Sequence, residues 1–167
     1  MKRLLPLAAL ALLLGGCGLQ PLYSGGSSGP VARGIGQVEI DPIEGKAGWL
    51  VTNALKDRLG AVSSGDAPYR LVVKLDDQIR GLGVRRDNSV TRERRTLRAR
   101  YQLVDASQGT VVLDQTAGSD VGVDVVQSDY AVVAAENTAL ERLSVIIADQ
   151  IVARLALYAR RRAQPQP

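Results

Sequence analysis

Residues 36–40, 69–84, 90–104 and 111–125 alternate apolar and polar side chains, the period of a strand with one covered face. Between and after them the period changes. Leu50, Val51, Ala54, Leu55 and Leu59 recur at helical spacing, and Gly60 follows as a C-cap. Val133, Asn137, Leu140, Ser144, Ile147, Ile151, Leu155 and Tyr158 form a second helical stripe. This predicts a helix from a cap at Ser128 or Asp129 to about residue 161, near 50 Å long. Pro42, Gly45, the loop at 61–68, the turn at 87–89 and Ser107-Gln108-Gly109 punctuate the elements. A bulge or bend in the last strand is expected near Gly118 or Gly122.

The order β-α-β-β-β-α predicts an α+β fold: a two-layer, roughly four-stranded mixed sheet with two helices packed on one face. The first strand–helix–strand unit is expected to be a right-handed crossover between parallel strands, and the later strands to follow as hairpins. Leu71, Val73, Leu75 and Ile79 share one face of the second strand; Lys74, Asp76, Gln78 and Arg80 share the other. In the third, Leu97, Ala99, Tyr101 and Leu103 point one way, and Arg92, Arg94, Arg98 and Arg100 the other. Both helices are expected over the apolar face, leaving the arginine face open.

The first residues are of a different kind. Lys2 and Arg3 precede an apolar run at residues 4–14, broken by Pro6, and Leu14-Gly15-Gly16-Cys17 follows. A charged head, a short apolar stretch and small residues before the cut make a secretory leader, too short to span a bilayer. The tetrapeptide resembles the lipobox of bacterial lipoproteins. That likeness implies cleavage before Cys17, a diacylglycerol on its sulfur and an acyl chain on the new amine, enough apolar chain for stable anchoring. Gly18 rather than Asp after the cysteine favours the outer membrane. The expected organisation is a leader at 1–16, a lipidated Gly/Ser-rich tether at 17–34, one domain at 35–162 and a loose tail at 163–167.

Composition narrows the chemistry. The chain has no histidine and, beyond Cys17, no cysteine. That removes the usual catalytic triads, the commonest general base and His-ligated metal sites, and no cofactor or metal is expected. Asp76 and Asp77 are neighbours on a strand and so face opposite ways. Gly81-Leu82-Gly83 does not open a helix, and no serine sits in Gly-x-Ser-x-Gly. Trp49 reads as a core or interface anchor. An enzyme is therefore disfavoured. The formal net charge of +4 falls to +2 once Lys2 and Arg3 leave, which implies no nucleic-acid partner.

That charge is unevenly placed. Residues 80–100 carry eight arginines against Asp87 and Glu93. Alternate residues on a strand stand about 6.6 Å apart on one face, so the row offers a ladder of guanidinium forks suited to phosphate or carboxylate. Arg85, Arg86, Arg92, Arg94, Arg95, Arg98 and Arg100 are the candidate residues for an anionic ligand or partner, with Lys74 and Arg80 beside them. A solvated face neutralised by cross-strand pairs through Asp76 and Glu93 is the competing reading.

Cys17-Gly18-Leu19-Gln20-Pro21-Leu22-Tyr23, the arginine-rich hairpin and the long final helix with Asp129-Tyr130-Ala131 near its start together resemble lipopolysaccharide-assembly lipoproteins of the LptE type. The resemblance implies an outer-membrane lipoprotein on the periplasmic side that plugs an LptD-type β-barrel and helps it assemble. It also implies contact with lipopolysaccharide through basic side chains, carried over by region to Arg85, Arg86, Arg92, Arg94 and Arg95. An auxiliary lipoprotein of an ABC-type envelope lipid-transport complex is the alternative.

Overall fold

The computed structural model describes residues 38–59, 67–84 and 90–163. The leader, Cys17, the tether, the turn at 87–89, Arg85 and Arg86 lie outside these residues. Within them the elements are β1 (Val38–Ile40), α1 (Gly45–Leu59), β2 (Tyr69–Val84), β3 (Val90–Asp105), β4 (Val111–Asp124) and α2 (Asp129–Ala163). They form one four-stranded sheet in the order β1-β2-β3-β4. β1 runs parallel to β2, with Val38 opposite Tyr69, and the other two pairings are antiparallel. This is the expected two-layer α+β fold.

The alternation of β2 and β3 decides which face the helices cover. Leu71, Val73, Leu97, Ala99, Tyr101 and Leu103 are buried and pack with Val51, Leu55 and Leu59 of α1 and with Leu140, Leu143, Ile147, Ile151 and Leu155 of α2. Each leucine, isoleucine or valine so removed from water contributes roughly 1.5–3 kcal/mol. Tyr101 is the polar exception, because its hydroxyl is buried without a hydrogen-bond partner.

α1 and α2 lie side by side and run the same way. Lys46 Nζ donates to Asn137 Oδ1 at 2.6 Å near one end, and Arg58 pairs with Asp149 near the other. Arg58 Nη1 also donates to the Ala54 carbonyl at 2.9 Å, one turn back along α1. α2 starts as expected: the Ser128 hydroxyl accepts from the Ala131 N–H, three residues on.

Three sequence expectations are corrected. The register irregularity falls between Leu103 and Val104, opposite residues 111–113, while Gly118 and Gly122 pair in register with Arg98 and Arg94. Val133 does not join the core and is 53% exposed. α1 begins level with Asn137, so among the described residues no helix lies beside α2 before that point. Trp49 is 65% exposed and is no core residue.

β4 is an edge strand. Its long outward side is closed at its midpoint by α2: the Gly118 N–H donates to Gln150 Oε1 at 3.1 Å, and Gln150 Nε2 donates to the Gly118 carbonyl at 3.3 Å. A side chain thus stands in for a fifth strand at one residue.

Candidate anion-binding face

The face away from the helices carries Lys74, Asp76, Gln78 and Arg80 on β2, and Arg92, Arg94, Thr96, Arg98, Arg100 and Gln102 on β3. Strand alternation places them there, as the sequence predicts. The register adds what the sequence reading missed. β4 brings Asp114, Thr116, Gly118, Asp120, Gly122 and Asp124 to the same face, beside the arginines. Arg92 lies 3.4 Å from Asp124, Arg94 3.5 Å from Asp120, and Arg100 2.9 Å from Asp114. Gln102 Nε2 also donates to Asp114, at 2.9 Å. Hydrogen bonds from Arg100 and then Gln102 hold the Asp114 carboxyl below its ordinary range, and the same contact with Asp114 raises Arg100.

Neutralisation is therefore real, but it comes from β4 and not from Glu93. Asp76 stays on the open face, where both its carboxylate oxygens accept from Gln78 Nε2 at 3.1 Å. The three arginine–aspartate pairs are exposed, with arginine side chains 55–66% accessible. Exposed pairs of this kind contribute about 0–1 kcal/mol each and exchange readily with other anions.

The glycines of β4 explain how the guanidinium groups lie. A Cβ on Gly122 would meet Arg92 Nε at 3.2 Å and Nη2 at 3.3 Å. The missing side chain lets that fork rest across the strand. Gly118 faces Arg98, and a Cβ there would reach Arg98 Cγ at 3.5 Å. No ion pair joins Arg98 among the described residues, although Asp76 stands opposite it on β2. Around this point opens a depression of about 370 Å³ lined by Lys74, Asp76, Arg98, Arg100, Thr116 and Gly118. Three cations and one carboxylate border it. A phosphate could take two parallel hydrogen bonds from Arg98 and a longer-range attraction from Lys74 and Arg100.

Arg95 is placed differently from the expectation. It shares the helix side with Leu97 and Ala99, is 8% exposed, and makes a two-pronged pair with Asp77, with Nε–Oδ1 2.9 Å and Nη2–Oδ2 2.6 Å. Its Nη1 donates to the Glu136 carbonyl of α2 at 2.8 Å. The parity of the strand was the available signal, because 95 is odd like 97 and 99. Next to it, Glu93 also faces the helix side, and its Oε2 is buried without a partner. Desolvation first, and the neighbouring Glu136 carboxyl second, push the Glu93 pKa up. A hydrogen bond between those two carboxyls exists only when one of them carries the proton.

The fold recurs in known proteins. A family model described as LptE, lipopolysaccharide-assembly, matches residues 35–155. A solved lipoprotein from Caulobacter crescentus CB15 is 26% identical, with a TM-score of 0.68, over 79% of this chain and 98% of its own. Rare lipoprotein B from Shewanella oneidensis shares the fold at 12% identity and a TM-score of 0.55, covering 76% of this chain and 98% of its own. A minor lipoprotein from Acinetobacter baumannii does so at 14% and 0.54, covering 72% and 92%. No curated protein matches the chain.

Proposed function

Because the chain belongs to the LptE lipopolysaccharide-assembly family, we propose that it is an outer-membrane lipoprotein that sits in the lumen of an LptD-type β-barrel. There it presents its open sheet face to the phosphates of lipopolysaccharide. The observation that carries the reading is Arg98, which has no ion-pair partner among the described residues and borders a cationic depression that Gly118 leaves open. Phosphate can add to that point without first displacing a carboxylate. It can then compete for Arg100, whose exposed pair with Asp114 is weakly held.

The uncovered face also suits a water-filled barrel lumen, whose lining is polar. Exposed acids and bases on one surface can pair with wall residues of either sign and still leave Arg98 for the lipid. Cys17, as the acylated residue, keeps the domain at the membrane that holds the barrel. The function is binding and assembly rather than turnover.

The test uses Arg98→Glu together with Lys74→Glu in the acylated protein. The expected result is at least a tenfold loss of lipopolysaccharide binding with the barrel still co-purifying, since charge reversal affects two charge-assisted contacts. Unchanged binding would remove the depression as the lipid site. Failure of any large barrel to co-purify with the unmodified chain would overturn the plug reading.

A further inference from the structure

The two edges of the sheet are finished differently. β4 is closed at Gly118 by the Gln150 amide. On the other side, β1 covers only the start of β2. It pairs with Tyr69, Arg70 and Leu71, and β2 runs on from Val72 to Val84. The Asp41 N–H donates to the Leu71 carbonyl at 3.0 Å, so Leu71 turns its main chain outward, away from β3. The N–H and C=O of one strand residue point the same way, and every second residue repeats the direction. The β2–β3 register is unbroken from Tyr69 to Leu82. Leu75, Asp77, Ile79 and Gly81 therefore also turn their N–H and C=O groups outward. Among the described residues, no strand pairs with those groups from that side.

The helix layer leaves this stretch bare. Residues 76–81 are all exposed, whereas Arg95, Leu97 and Ala99 beside them on β3 are buried. Asp77 is exposed although Arg95 grips its carboxylate and leaves that side chain 25% accessible, so water reaches its main chain. Gly81 has only main chain to expose. Ile79 points to the helix side and is still 41% exposed. Lys74, Asp76, Gln78 and Arg80 point to the arginine face, where Arg80 Nη2 donates to Gln78 Oε1 at 2.8 Å. Proline, bulges, inward-pointing charges or a covering element usually blunt such an edge. Between Val72 and Leu82 there is no proline and no break in register. The one charge pointing inward, Asp77, is already neutralised by Arg95.

The geometry points to an added strand at this edge: an extended segment of the barrel chain pairs with β2 at Leu75, Asp77, Ile79 and Gly81. The inference rests on the reading of this chain as the plug of an LptD-type barrel, and it names where the two polypeptides join. Outward N–H and C=O groups repeating about every 6.6 Å are matched by the main chain of another strand and not by lipid. The wall strands of a transmembrane barrel are already paired with one another. The segment therefore comes from outside the wall, as a loop or terminal stretch folded into the lumen. Its apolar side chains lie beside Leu75 and Ile79, and its polar ones beside Asp76, Gln78 and Arg80. It joins β2 on the side away from β3 and so leaves Arg98 open to lipid. Stacking one copy of this chain on the next needs both edges, and Gln150 occupies the other. Ser24-Gly25-Gly26-Ser27-Ser28-Gly29, in the segment preceding β1, has low strand propensity and is a poor substitute.

The acylated full chain is placed in deuterated buffer, alone and in complex with the barrel that co-purifies with it, and amide exchange is read residue by residue after quenching. In the chain alone, Leu75, Asp77, Ile79 and Gly81 should exchange fast, and Asp76, Gln78 and Arg80, bonded to β3, slowly. In the complex the first set should slow by about tenfold or more, with the second set unchanged. Ile79→Pro removes an N–H that the fold does not use, a substitution that edge strands tolerate. With its fold checked by circular dichroism, it should lose most of the protection at Asp77 and Gly81. Gly81→Pro, at the exposed end, serves if Ile79→Pro does not fold. A recovered barrel with these four amides as fast as in the free chain would overturn the added strand and leave the plug reading standing. Protection that survives the proline would come from enclosure in the lumen rather than pairing, and would overturn it too. Slow exchange in the chain alone that deepens with concentration would make a second copy the occupant, again overturning the inference. No barrel recovered with the unmodified chain would overturn the plug reading, and the inference with it.

Discussion

Arg94 and Arg95 are neighbours on one strand and have opposite surroundings. Arg94 looks out over the open face, more than half exposed, 3.5 Å from Asp120. Arg95 looks in, nearly covered, gripping Asp77 with two nitrogens and a helix carbonyl with the third. The difference is one step of pleat. It teaches that an arginine-rich segment is two populations, one that joins the layers of the fold and one offered to a partner. Counting positive charges along the chain cannot separate them, whereas parity can.

The largest expected effect comes from the inner member. Arg95→Ala leaves Asp77, whose side chain is 25% accessible, without its partner and frees a carbonyl of α2. Unfolding should become easier by about 1.5–3 kcal/mol, measured by denaturant titration. Arg94→Ala in the same assay should lose less than about 1 kcal/mol. Equal losses would dissolve the distinction between the two faces.

Removing the carboxylates of β4 addresses the outer population. In D114N/D120N/D124N, Arg92, Arg94 and Arg100 lose their carboxylate partners. Lipopolysaccharide affinity is expected to rise by up to about fivefold for each carboxylate removed, with stability almost unchanged, as read by titration of labelled lipid. A fall in affinity would mean that the aspartates position the guanidinium groups rather than compete for them.

The smallest effect is on the inner side again. Glu93 has a raised folded pKa from burial and from Glu136. Its protonated form is favoured by folding, so its contribution is present at acidic pH below the unfolded value and is lost as pH rises through the folded value. Glu93→Gln mimics the protonated form and should stabilise the protein by about 1 kcal/mol at neutral pH. The gain should shrink as pH falls through the carboxylate range. A pH-independent gain would point to packing rather than charge.

Much of this was legible beforehand. Alternation in β2 and β3 placed Leu71, Leu97 and Tyr101 inside and Arg92, Arg94, Arg98 and Arg100 outside, because a strand with one wet face must repeat every second residue. The same rule, applied to position 95, puts that arginine inside. What alternation cannot give is the register between strands. Asp114, Asp120 and Asp124 are visible as acids, but their partners depend on a turn with Gly109 at φ +66° and on an irregularity at residues 103–104. The stripe of α2 was read correctly from Leu140 onward. It failed at Val133 because burial there depends on where α1 begins, which periodicity within α2 does not encode.

The amide of Gln150 bears on a different hazard. β4 carries a fourteen-residue edge, long enough to recruit a second copy of the chain into a stacked fibre. Self-templating segments run to about six or seven residues. With Gly118 occupied on both its donor and its acceptor, the edge is divided into runs of seven and six residues and no longer offers one continuous pairing surface. One glutamine reaching across from a helix thereby limits the edge along which two copies of the chain could stack.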